Sequence, residues 1–425
     1  MRVLLIGNGG REHAIAWKLA ASPRVTALYA LPGNPGTAEV ADNVPEVPMA
    51  DFVKIERFVR KNDIELVVIG PEDPLAAGLA DAMISAGIKV FGPTKDAARL
   101  EADKWFAKEI MRHQAVPTAE ARSFTDADAA EEYLRTRGVG VVVKAAGLAK
   151  GKGVSVCQDV ADAIQAIDSI MRRKNFGKAG ERVLIEELLK GPECSVLAFV
   201  DRKNIYVMEP AQDHKPVNDG DTGPMTGGMG AYSPTPVMTA ALMSQVERDI
   251  LIPVLDGLTR DGIEYKGVLY AGLMLTANGP KVLEFNCRFG DPETQPLMMR
   301  LEADLLEVML AVAEGRLDKI ELKWDPRPAL CVVATSGGYP GPYEGGTPIT
   351  GIANADSMKD VKVFQAGTRI SGGALVTDGG RVLGVTALGD TVADAQKRAY
   401  QAMSLIHFDG MHFRRDIGKQ AIRTT

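Results

Sequence analysis

The residues best suited to chemistry fall in three stretches. The first is VVVKAAGLAKGKGV, residues 141–154. Three β-branched valines predict a buried strand, which delivers Lys144 at its end. The loop that follows carries Gly147, Gly151 and Gly153, with Lys150 and Lys152 between them, and 154–157 reads as a return strand. Glycines let backbone N–H groups approach anionic oxygens, and lysines add point charges, so this is chemistry for phosphate. It is not a P-loop, which needs four residues between its glycines and a Ser or Thr after its lysine. The plain alternative is a hairpin tip with solvated lysines. In the second stretch, Glu284 and Asn286 share one face of a strand over 281–285, and Arg288 follows on the same side if the chain stays extended. A carboxylate and an amide oxygen suit Mg²⁺, which takes hard oxygen ligands and leaves the rest to water and phosphates. The alternation puts Leu283 and Phe285 on the buried face and Val282 on the Glu284 face. The plain alternative here is the polar outer face of an edge strand. The third stretch, QDHKPVNDGDTGPMTGGMGAY over 212–232, opens with Asp213, His214 and Lys215. It reads as a long irregular loop, and such loops are functional or disordered. No second His stands at ligand spacing, so His214 is not read as a metal ligand.

These residues need a scaffold, and the composition bounds it. A chain of 425 residues exceeds one compact core, and two to four domains are expected. Hydrophobic content of 46% and charged content of 24% are those of a soluble globular protein. A net charge of −6 disfavours nonspecific nucleic-acid binding but leaves room for a local basic patch on a small phosphorylated ligand. Cys157, Cys194, Cys287 and Cys331 are far apart, with no CxxC pair. That argues against a disulfide framework or a zinc site and suits a reducing cytosol. No signal peptide is recognisable and no apolar run reaches membrane-spanning length, so a cytoplasmic protein is expected.

In chain order, an apolar strand over 2–6 meets Gly7-Asn8-Gly9-Gly10 and then a helix over 11–21, an anion-binding arrangement. The dinucleotide fingerprint needs a third glycine where Glu12 stands and an acid after the second strand, 26–30, which is absent; NAD is not expected. Further strands over 65–69 and 89–91 also end in Gly/Pro turns, as in a parallel α/β sheet with its crevice at the carboxyl edge. A helix over 103–113 has Lys104 just inside its start, where a cation opposes the helix dipole unless an anion is near. Beyond 117 a small α/β unit follows. Its strand over 182–185 runs into Glu186-Glu187-Leu188-Leu189, and Glu193 sits in a turn before the strand 196–200. A helix over 238–258 and a hairpin of 268–275 with 281–285 come next. Residues 324–328 mark the clearest boundary. Beyond it lie short strands, a hairpin candidate over 374–385 around Asp378-Gly379-Gly380, and a helix over 392–406 capped by Thr391. No catalytic constellation is visible there; packing, or closing one wall of the site, is the expected role.

A lysine at a strand end, a Gly/Lys loop, an acidic strand end and a later strand with Glu284 and Asn286 can hold ATP between a small mobile unit and a larger sheet. With these residues the sequence resembles the ATP-grasp superfamily. Within it the chain is similar, essentially end to end, to the phosphoribosylamine–glycine ligase (glycinamide ribonucleotide synthetase) family. GNGGREH at 7–13, 147–154, QDHK at 212–215, DTGP at 221–224, TGGMGAYSP at 226–234 and EFNCRFGDPETQ at 284–295 carry the resemblance. It implies an α/β and α+β multidomain fold. An N-terminal parallel α/β domain over 1–103 precedes a two-lobed ATP-grasp core over 104–324, with a lid lobe at about 118–192, and a small C-terminal α+β domain over 325–425. It implies ATP-dependent ligation of glycine to 5-phosphoribosylamine through a glycyl phosphate, with Mg²⁺ or Mn²⁺, in purine biosynthesis. It implies a monomer or weak homodimer with no nucleic-acid or membrane partner.

By the same resemblance, Lys104 and Lys144 contact the ATP phosphates under a lid that includes Gly147, Lys150, Gly151 and Gly153. Glu186, Glu187 and Leu189 lie around adenine and ribose, and Glu193 bonds the ribose hydroxyls. Glu284 and Asn286 hold the metal. Gly9, Gly10, Asp213, His214 and Lys215 lie towards phosphoribosylamine, and Arg288 anchors the glycine carboxylate or an acyl phosphate. The chain departs from the pattern at Ala146, where an Asp is expected, and at Lys150, where a small residue is common. Two other readings remain open: an ATP-grasp carboxylase or formate-using transferase, and a non-catalytic nucleotide-binding protein.

Overall fold

In the computed structural model, which describes residues 1–149 and 153–422, the first third of the chain builds an all-parallel sheet. Its strand order is Asp42–Asn43, Ala27–Pro32, Arg2–Gly7, Leu66–Ile69, Lys89–Phe91. Val3, Leu4, Leu5 and Ile6 are all fully buried, because both faces of a parallel sheet are covered. Val3 and Leu5 pack with Ile15 and Leu19 of the helix Gly10–Ala20, while Leu4 and Ile6 pack with Ile55 and Leu79 on the other side. The strand order reverses at the central strand, and in open α/β sheets ligand crevices form outside the carboxyl ends at that point.

A second sheet runs Ile205–Val207, Glu193–Asp201, Lys266–Thr276, Gly279–Asn286, antiparallel throughout. The helix expected over 238–258 packs on it as Ala240–Val246 and Ile252–Arg260, separated by one π turn, Glu247–Leu251. The widened turn falls just before Pro253, which has no N–H to continue the ladder. A third, smaller sheet runs Ala121–Phe124, Val183–Glu187, Val141–Ala145, Val154–Cys157. Here the expected hairpin is present, with Lys144 opposite Val154, and the helices Ala127–Arg137 and Val160–Ile167 cover one face.

The fourth sheet corrects two expectations. Its order is Gln212–Asp213, Gly230–Ser233, Ala329–Thr335, Arg381–Leu388, Val361–Gln365. The stretch 212–232 is therefore no irregular loop. It contributes two strands to the C-terminal sheet, and Pro216–Asn218 pairs with Thr222–Met225 beside them. Gly230–Ser233 is buried along its whole length, and buried backbone must find hydrogen-bond partners whatever its composition. The hairpin proposed over 374–385 does not form either. Ala374–Thr377 turns back on Thr368–Ser371 through Gly372 and Gly373, both at positive φ, the conformation a two-residue hairpin turn requires. Arg381–Leu388 pairs instead with Ala329–Thr335 and Val361–Gln365. The helix Val392–Met403 has the expected cap, Thr391 accepting from the Asp394 N–H. No helix among the described residues is long and apolar enough to cross a membrane.

Candidate active site

A cavity of about 440 Å³ opens between the small lobe and the second sheet, and its walls include residues from all parts of the chain. On the lobe side, the buried Lys144 Nζ donates to the Leu283 carbonyl at 2.9 Å and pairs with Glu186 at 2.8 Å. Glu186 also meets Lys108 at 3.1 Å. Lys108 further donates to the Thr118 hydroxyl and the Ala119 carbonyl, so it is anchored rather than free. Glu186 is thus a buried counter-ion to two lysines. Lys108 was not foreseen, although it stands four residues after Lys104 and so shares its helix face.

Lys104 begins the helix Lys104–His113, whose N-cap Asp103 accepts from Trp105 and Phe106 N–H groups. Its Nζ donates to the Gly147 carbonyl at 3.1 Å. Burial lowers its pKa, against the pull of Glu284. Gly147 and Gly153 have no room for a side chain. A Cβ at Gly147 would stand 2.7 Å from the Ala179 Cα, and one at Gly153 2.6 Å from the Ala149 Cβ. The expectations for Lys150 and Gly151 lie outside the described residues.

Glu284 faces the cavity, but not by simple alternation. A bulge between the pairs Gly272–Glu284 and Leu273–Val282 leaves Leu283 as the extra residue. Val282 and Phe285 therefore both enter the core, and Leu283 lines the cavity, the reverse of the expected placing of Val282 and Leu283. Burial pushes the Glu284 pKa up, but Lys215, Lys144, Lys104 and Arg288 outweigh it and hold the carboxyl below its ordinary range. Asn286, buried, lines the same cavity. Among the described residues no group of three His, Cys, Asp or Glu could hold a metal. An ionised carboxylate beside an amide oxygen fits a divalent ion that draws its remaining ligands from phosphates and water, not a zinc site.

Lys215 bridges Glu193 at 3.3 Å and Glu284 at 3.9 Å, and Glu193 foremost raises its pKa. Glu187 lies at the rim, paired with Lys281 at 2.8 Å, and Leu189 lines the wall beside it. Arg288 is clamped by Glu72 at 3.1 Å and Glu101 at 2.8 Å. Asp213 lines the cavity near Glu293; burial first, and Glu293 second, push its pKa well above the carboxylate range. His214 does not join them. Side chains alternate along this strand, so its ring points into the C-terminal sheet, where Nε2 accepts from the Gly418 N–H and the ring meets Tyr232. Gly9 and Gly10 also stay out of the cavity wall. The N–H of Gly9 is already taken by the Glu12 carboxylate at 2.7 Å, and a Cβ at Gly70 would stand 2.2 Å from that carboxylate. The side chain that replaces the third glycine thus fills the anion position at this helix start. Arg381, from the C-terminal sheet, also lines the cavity, and nothing in the sequence announced it.

Comparison with known proteins agrees along the whole chain. Residues 1–101 match the model described as phosphoribosylglycinamide synthetase, N domain; 102–294 match the ATP-grasp (A) domain of the same synthetase, and 329–420 its C domain. A phosphoribosylamine–glycine ligase of Rhodopirellula baltica is 53% identical, covering 99% of this chain and 98% of its own. One from Vibrio cholerae is 49% identical, covering 99% of each. The crystal structure of a phosphoribosylamine–glycine ligase from Thermotoga maritima superposes with a TM-score of 0.83 at 32% identity, covering 98% of this chain and 100% of that one. The biotin carboxylase domain of a Hydrogenobacter thermophilus 2-oxoglutarate carboxylase, in complex with MgADP, shares the fold at a TM-score of 0.74 and 15% identity, over 97% and 91% of the two chains.

Proposed function

The chain belongs to the phosphoribosylglycinamide synthetase family, and we infer from this that its cavity joins glycine to 5-phosphoribosylamine at the expense of ATP, in purine biosynthesis. The observation that carries the reading is the ring of cations, Lys104, Lys144, Lys215 and Arg288, around the ionised Glu284. A carboxylate oxygen of glycine attacks the γ-phosphorus of ATP. The bond to the bridging oxygen breaks, giving ADP and glycyl phosphate. The amine of phosphoribosylamine then attacks the acyl carbon and loses a proton, and the bond from that carbon to the bridging oxygen breaks, so inorganic phosphate leaves with the glycine carboxylate oxygen that had attacked phosphorus.

The first step brings two anions together. Like unit charges about 4 Å apart repel by about 4 kcal/mol at an effective dielectric near 20. In this reading Lys104 and Lys144, both in the cavity wall, contact the phosphates and offset that repulsion, with Glu186 paired to Lys144 at 2.8 Å. A divalent ion, Mg²⁺ or Mn²⁺, held by Glu284 and Asn286 would supply further neutralisation on the phosphates. Glu187, Leu189 and Glu193 border adenine and ribose. Asp213 and Lys215 face the second substrate, His214 ties their strand to the C-terminal sheet, and Arg288 takes the acyl end. The turn at Gly9 and Gly10 contributes backbone near Asp291. No side-chain nucleophile is needed, which accords with the four cysteines: all are free and buried, and burial pushes their thiols up, Cys157 to about 11. Free buried thiols fit a reducing compartment, and we place the enzyme in the cytoplasm.

The test is ADP release with glycine and freshly made phosphoribosylamine, each omitted in turn and glycine replaced by bicarbonate or formate. Release only with glycine and the amine together supports the reading; release with bicarbonate or formate instead rejects it.

A further inference from the structure

Arg381 opens the strand Arg381–Leu388, which is held by hydrogen-bonded neighbours on both sides. Its guanidinium leaves the C-terminal sheet and meets two loops of the cavity wall. One nitrogen donates to the carbonyls of Gly227 and Asp291, both at 2.7 Å, and the other pairs with the Asp291 carboxylate at 3.1 Å. The first loop leans on Asp213: Gly228, at φ +119°, leaves no room for a Cβ, which would stand 2.8 Å from an Asp213 oxygen and 2.4 Å from Pro292. The second loop carries Asp291 and Glu293, and Gln295 holds the other Asp291 oxygen at 2.9 Å. One cation therefore gathers backbone carbonyls and a carboxylate from two separate loops, each beside a substrate-facing acid.

We propose that Arg381 is a positioning residue for the ligation, setting from the C-terminal sheet the spacing between the Asp213 wall and the Asp291–Glu293 wall. Three of its five N–H donors are spent on protein oxygens, so its hold on the two loops does not depend on bound substrate. One nitrogen bridges the carbonyls of the two loops while the other, in the same rigid plane, holds the Asp291 carboxylate; a lysine has a single nitrogen and cannot keep all three contacts in that geometry. The role also explains why a segment without a catalytic constellation borders the cavity. The proposal rests on the reading that Asp213 and Lys215 face phosphoribosylamine.

The experiment compares wild type with Arg381→Lys and Arg381→Gln, in steady-state kinetics for each substrate, ADP titration, and amide hydrogen exchange. A misplacement of about 1 Å costs roughly 10²-fold in rate. The expected result is a fall of that order in kcat/KM for phosphoribosylamine in both variants, with ADP affinity unchanged. Exchange should quicken at 226–229 and 290–294, while 329–335 stays protected. Unchanged kcat/KM in Arg381→Lys overturns the proposal. So does a parallel loss of ADP affinity and of protection along the whole chain, which marks general destabilisation. A wild-type enzyme that releases no ADP with glycine and phosphoribosylamine sinks the parent reading; normal wild type with normal variants sinks the Arg381 role alone.

Discussion

His13 and His214 are both buried and both held neutral. Burial lowers His13 to about 3, with Lys362 adding to the effect, and lowers His214 to about 4, with Arg414 adding and Asp221 and Asp416 opposing. An unfolded histidine titrates near 6.5. Between about pH 6.5 and 4 the unfolded chain binds protons that the native chain refuses, so this contribution is full above pH 6.5 and falls with acid, by about 1.4 kcal/mol per pH unit for each histidine. Asp213, raised by burial and Glu293, works in the opposite sense. The measurement is therefore a difference: urea unfolding of wild type and His13→Asn at about pH 7.5 and about pH 5, with the variant losing less stability on acidification. Equal losses would reject the assignment. At the same scale, Glu284→Ala should cut turnover by roughly 10² or more, as for loss of one preorganised electrostatic contact, and near-normal turnover at saturating Mg²⁺ would rule out its metal role. Residues of this kind were legible because charge placed at strand ends is a local signal. Lys144, Glu284 and Lys215 do converge on one cavity. Arg381 was not legible, since nothing within its own strand tells which distant carbonyls it will meet.

Among the elements, the helix Lys104–His113 shows how a cap can serve a site. Asp103 accepts from two N–H groups of the first turn, and Lys104 follows it directly. Asp103→Ala should cost about 1 kcal/mol of stability, the usual value of such a cap. It should also weaken ATP binding, because the turn that aims Lys104 frays; calorimetric titration with a nucleotide checks it. Unchanged affinity with reduced stability would separate the cap from the site. Strand and helix positions were mostly readable from periodicity and turn residues, as in the strand Val154–Cys157 and the capped helix Val392–Met403. The failures share one cause. The bulge at Leu283, the short strands within 212–232 and the true partner of Ala374–Thr377 are all decided by pairing across the sheet, not by the order of residues along it.

For the molecule as a whole, the last described segment ties distant parts together. Arg414 is 1% exposed and pairs with Asp416 through both oxygens and with Asp221, while donating to the Pro216 carbonyl. Arg414→Met leaves these acceptors without their cation, though Asp221 and Asp416 keep some access to water, and should cost about 1.5–3 kcal/mol, read as a lower urea midpoint. The stretch 212–233 thus answers to both ends of the site: Asp213 and Lys215 face the cavity, and their neighbours are stitched to the segment 412–420. The boundary near 324 is plain in composition, but the sheet ignores it, since Gly230–Ser233 pairs with Ala329–Thr335 across it.

That pairing bears on any attempt to split the protein. Cleaving at the linker, into 1–324 and 325–425, would strip the partner from an apolar, fully buried strand and from the strand opposite, leaving two sticky edges of the kind that recruit other chains. Each fragment expressed alone should aggregate, and the two produced together should reassemble into a working whole, as complementing halves rather than as independent modules.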